Sequence, residues 1–156
     1  MAVVVVQLPF RWQQRLAESP LSAAAKQAAP HSKPGQAMSS EEKKIFLLLQ
    51  SIIFQYHGLD DAEQQLLQQS AQELQGLAEL GWAQEFIGED YLTAFDRARV
   101  FLQSIDLPAD TKLEYLYRVW QSNNAKGYIT EMEATAMLRL ARDWKLEGEL
   151  VKRVRG

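Results

Sequence analysis

NAKGYITEMEATAMLRLARDWKLEGEL, running from Asn124 to Leu150, decides the fold. Helical sequence breaks at Gly127 and Thr130 opens a new helix. Glu131 and Glu133 stand in its first turn, where carboxylates meet the positive end of the helix. FQYHGLDDAEQQLLQQ, from Phe54 to Gln69, reads the same way. Gly58 ends an apolar helix, Asp60 or Asp61 starts the next, and Glu63 falls in its first turn. Two such helix–glycine loop–helix units point to an all-α domain with an internal pseudo-repeat.

The rest of the chain extends this pattern. Ser39 or Ser40 before Glu-Glu-Lys-Lys is a helix N-cap. Ile45, Leu48, Leu49, Ile52 and Tyr56 share one face, and Phe46, Leu47, Ile53 and Phe54 cover much of the remainder, so this helix is central and buried. The next helix is expected over Asp61 to Leu80. Leu66, Leu67, Leu74, Leu77 and Leu80 would face inward and a row of glutamines would face water, with a kink at Gly76 and an end at Gly81. Trp82 to Ile87 reads as a short helix. Glu89 to Ile105 reads as another, with Tyr91, Leu92, Phe95, Ala98, Val100 and Leu102 on or near its apolar stripe. Pro108 suits the first turn of a helix marked by Leu113, Leu116, Tyr117 and Trp120. The last long helix uses Ile129, Met132, Ala136, Met137, Leu140 and Trp144, with Gly148 as its cap. The expectation is a single compact bundle of about six or seven helices over residues 39–156, with no sheet. Residues 1–38 contain a proline-, alanine- and serine-rich stretch and read as an N-terminal extension or linker, partly disordered.

Composition narrows the function classes. The chain of 156 residues is 47% hydrophobic, enough for one core. It has no cysteine, which excludes a disulfide scaffold, thiol catalysis and a cysteine zinc site. Val3 to Val6 has no basic residue before it, and no stretch is long and apolar enough for a membrane span, so a cytoplasmic protein is expected. The net charge of -3 is unevenly spread. Residues 45–96 hold no lysine or arginine but nine Asp or Glu. That acidic middle suggests a docking face for another, basic protein, built from Asp60, Asp61, Glu63, Glu89 and Asp90. A pI of 5.4 argues against nucleic acid. Self-association is compatible with everything above.

No catalytic constellation is visible: no phosphate-cradling glycine loop, no nucleophile elbow, and, within the expected folded region of residues 39–156, no second histidine or cysteine to join His57 in a zinc site. The Gly127 loop can be laid on a calcium loop, with Ser122 first, Asn124 third, Lys126 fifth and Glu133 twelfth. Serine then stands where a carboxylate belongs and an ammonium where an oxygen belongs. Asp60, Asp61, Glu63, Asn124, Glu131 and Glu133 are the metal-ligating candidates on the alternative reading. The expectation is no metal, no cofactor and no enzyme.

The segment AKGYITEMEATAMLRLARDWKLEGEL resembles the second helix–loop–helix of TerB-like domains, the helical fold of tellurite-resistance proteins. The matching positions are Ala125, Lys126, Gly127, Thr130, Glu131, Leu140 and Leu146. The nearest likeness is to the TerB-like domain of DnaJ-like co-chaperones, and HGLDDAEQQLL is similar to the family's first unit. The resemblance implies a bacterial protein-interaction module with a stress-response or chaperone-associated role, or alternatively a metal-binding tellurite-resistance protein. Family members that bind metal place an acidic residue directly before each glycine. Here those positions hold His57 and Lys126.

Overall fold

The structure, a computed structural model, describes residues 38–156. The described residues form seven α-helices and no strand: α1 (Ser40–Phe54), α2 (Asp61–Glu73), α3 (Leu77–Gly88), α4 (Ala94–Gln103), α5 (Ala109–Ala125), α6 (Glu131–Asp143) and α7 (Glu147–Arg155). The expectation for Val3 to Val6, and all but Met38 of the extension or linker expected over residues 1–38, lie outside the described residues.

Helix α1 organises the bundle. Ser39 caps it, accepting from the Glu42 backbone N–H, while the Glu42 side chain returns a hydrogen bond to the Ser39 N–H. Every residue from Ile45 to Phe54 is buried. A helix apolar on all sides needs neighbours on all sides, and α2, α3, α4, α5 and α6 each pack against it. A short 3-10 turn, Gln55–His57, follows and leads into Gly58, whose φ of +106° only glycine adopts without strain.

Helix boundaries differ from the sequence expectation in three places. The helix expected over Asp61 to Leu80 stops at Glu73, and α3 starts at Leu77. Between them Gln75 takes a φ of +54°, and the Gly76 N–H closes the end by bonding the Ala71 carbonyl. Gly81 therefore lies inside α3, and Leu77 is exposed. The same geometry ends α6: Lys145 has a φ of +60° and the Leu146 N–H bonds the Ala141 carbonyl. Gly148 thus lies within α7 rather than capping α6. Both breaks use a left-handed residue that is not glycine, so composition gave no warning. The third difference is at α4, which begins at Ala94 rather than Glu89. Asp90 Oδ1 accepts from the Leu92 N–H and makes a turn instead. Tyr91, Leu92, Val100 and Met132, expected inside, are exposed.

Candidate functional site

The two glycine loops meet around one ammonium group. Asp60 caps α2: its Oδ1 accepts from the Glu63 N–H at 2.8 Å, and Glu63 Oε2 accepts from the Asp60 N–H at 3.2 Å. Thr130 caps α6 with the same reciprocal pair to Glu133. Each capping box orients the far oxygen of its glutamate toward the other loop. Lys126, which ends α5 just before Gly127, fills the space between them. Its Nζ donates to Glu63 Oε1 at 2.8 Å and to Glu133 Oε2 at 2.7 Å. The Lys126 side chain is 1% exposed and both glutamate side chains are fully buried.

Aromatic faces complete the enclosure. Nζ lies 5.1 Å from the Phe54 ring centre and 5.0 Å from that of Tyr128. The Tyr128 hydroxyl donates to Asp60 Oδ2 at 3.1 Å, which ties the second loop to the first cap. Burial alone would lower the Lys126 pKa, but the hydrogen bonds to Glu133 and Glu63 outweigh it and hold the group above its ordinary value. The ammonium is thus fixed in its charged state between two carboxylates. Where a cation could have bridged the loops, the chain supplies its own.

The residues proposed as metal ligands separate accordingly. Glu63 and Glu133 come together, but on Lys126. Asp60 serves as a cap, and Asp61, Asn124 and Glu131 are exposed. Among the described residues no group of three or more His, Asp or Glu side chains could hold a metal ion. The proposed docking residues also separate. Glu63 is fully buried, so it belongs to no exposed face; its carboxylate serves the cap and the lysine instead. Asp60, Asp61, Glu89 and Asp90 are exposed.

Glu89 and Asp90 belong to a second feature, the loop between α3 and α4. Arg97 reaches back from α4 and holds it: Nη1 donates to the Phe86 carbonyl at 2.9 Å, Nη2 to the Asp90 carbonyl at 2.7 Å, and Nε to Thr93 Oγ1 at 3.0 Å. The guanidinium is buried and lies over the Phe86 ring. The planar fork thereby joins a carbonyl in the last turn of α3 to one in the loop. At the tip of this braced loop Tyr91 is 73% exposed and Leu92 96% exposed.

Sequence reading missed Lys126 as a bridge and Arg97 as a brace. The capping boxes were legible, as Asp60-x-x-Glu63 and Thr130-x-x-Glu133. Lys126 immediately before Gly127 was visible as well, but its partner Glu63 stands far away in the chain. No family model, no curated protein and no solved structure matches the chain. The TerB-like resemblance rests on the sequence motif.

Proposed function

We propose that this chain is a non-catalytic, TerB-like interaction module of the cytoplasm that binds another protein, in a stress-response or chaperone-associated setting. The observation behind this reading is the Arg97-braced loop. Arg97 fixes the loop backbone, and two adjacent large apolar side chains displayed in water at its tip suit an interface anchor. A loop backbone already held in place also loses little backbone entropy on binding. Glu89 and Asp90 flank the tip, so the partner surface that fits is an apolar pocket with a basic rim. The two glycine loops support the non-catalytic half of the reading, because Glu63 and Glu133 are buried and their oxygens are engaged by the helix caps and by the Lys126 ammonium. The same ammonium speaks against the metal-binding alternative. The tip is the place to test. Tyr91→Ser combined with Leu92→Ser should abolish partner capture in a cross-linking pull-down with the helical circular dichroism unchanged. Glu89→Lys with Asp90→Lys should weaken capture and flatten its salt dependence. Capture that survives the first double substitution overturns the reading.

A further inference from the structure

A groove of about 320 Å³ lies between α2 and α5, with Phe46 of α1 among its walls. Leu66, Leu74 and Ala125 supply further apolar lining. The polar groups along it are not equivalent. Glu73 already accepts from Gln69 Nε2 at 3.1 Å. Ser70 Oγ accepts from Nε2 of the fully buried Gln50 at 3.0 Å, and among the described residues the Ser70 hydroxyl proton has no acceptor. Arg118 places its guanidinium 4.8 Å from the Phe46 ring centre. Among the described residues it meets no carboxylate at ion-pair distance. Arg99 and Arg153, by contrast, are each paired with a carboxylate from another helix or its end. Arg118 is therefore a guanidinium held over an aromatic ring, with no acceptor among the described residues, on a cavity with apolar lining.

We infer that this groove binds a small organic monocarboxylate with an apolar body. Arg118 takes the carboxylate, Ser70 offers a second donor, and Phe46, Leu66, Leu74 and Ala125 pack the body. One guanidinium balances one negative charge, and a fork of parallel N–H groups matches the two carboxylate oxygens. A phosphate dianion fits less well, because Glu73 lies on the same groove and adds repulsion. The volume is at the small end of ligand cavities, which suits a short-chain or single-ring acid rather than an extended peptide. The site uses different elements from the Tyr91–Leu92 loop and stands independently of the docking proposal.

The test is a titration of the full-length chain with sodium hexanoate, followed by amide chemical shifts at constant ionic strength. Saturable shifts in the millimolar range should cluster on α2 and α5. Hexanamide, which keeps the body and loses the charge, should bind about tenfold more weakly or worse. Arg118→Gln should weaken hexanoate by a similar factor, and Arg118→Lys should keep part of the affinity because it keeps the charge. Glu73→Gln, at an exposed position on the same groove, gives a second reading should Arg118→Gln disturb the packing on Phe46; it removes a repelling charge and should tighten hexanoate binding. Absence of saturable shifts overturns the inference. So does equal binding of acid and amide, or shifts that map elsewhere. Binding of a short peptide through its terminal carboxylate with none of hexanoate would overturn it too, by assigning the groove to peptide ends.

Discussion

Lys126 shows what a single buried charge can fix. It joins the end of α5 to the starts of α2 and α6 through two hydrogen bonds to buried carboxylates. Removing it leaves Glu63 and Glu133 facing each other without a counter-charge. Lys126→Met should therefore destabilise the fold by about 3–5 kcal/mol in urea denaturation. Adding Glu63→Gln and Glu133→Gln should recover much of that loss, because neutral amides tolerate burial better than bare carboxylates. A loss that persists in the triple variant would show that packing of the lysine stem, not its charge, matters. The pH dependence follows from the raised pKa. The stabilisation is complete below the unfolded-state value of about 10.4 and is lost as pH rises through the higher folded-state value. Burial and the hydrogen bond to Glu42 also raise the Tyr115 pKa, so its hydroxyl resists ionisation and adds to the alkaline loss in the same direction. The caps were legible in sequence because they are local. The ion triad was not, since residue type alone does not say which distant carboxylates a lysine reaches.

Helix ends are where the sequence misled. Gly81 and Gly148 looked like stops and lie inside helices, while Gln75 and Lys145 looked helical and end them. The left-handed conformation costs an ordinary residue about 1–2 kcal/mol and glycine almost nothing. Gln75→Gly and Lys145→Gly, both at exposed positions, should each raise stability by up to about 1 kcal/mol in thermal melts. A drop in melting temperature would mean that the side chains make compensating contacts. Between elements, Arg99 of α4 is tied to Asp143 at the end of α6 by two parallel, part-buried hydrogen bonds of 2.8 and 2.9 Å. Burial would raise the Asp143 pKa, but the Arg99 hydrogen bonds win and hold it below the usual carboxylate range. Its stabilisation is therefore present above the unfolded-state value of 3.8 and lost as pH falls through the lower folded value. Asp143→Asn should cost about 1–2 kcal/mol at neutral pH and almost nothing in strong acid. An equal cost at both pH values would assign the effect to packing.

The whole molecule is built around α1. Its apolar residues on every side were visible in the sequence, and burial from Ile45 to Phe54 follows from them. Fold class was legible for the same reason: a bundle with one fully apolar helix has one obvious centre. The exposed tip at Tyr91 and Leu92 was not legible, because a periodicity count assigns an apolar residue to the nearest stripe. Only the Asp90 turn, braced by Arg97, removes them from it. This architecture has a cooperative consequence. Since α1 touches five other helices, none of those helices keeps its apolar face covered once α1 is lost. Unfolding of the described domain should then be two-state. Trp82 on α3, Trp120 on α5 and Trp144 after α6 sample different parts of the bundle. Their combined fluorescence transition in urea should superimpose on the loss of helical circular dichroism. Ile53→Ala, which removes a fully buried side chain from α1, should shift both curves together by about 2–5 kcal/mol. Fluorescence changing at lower urea than circular dichroism would show that part of the bundle, such as α7 against α5 and α6, opens on its own. It would also confine the organising role of α1 to the helices it touches directly.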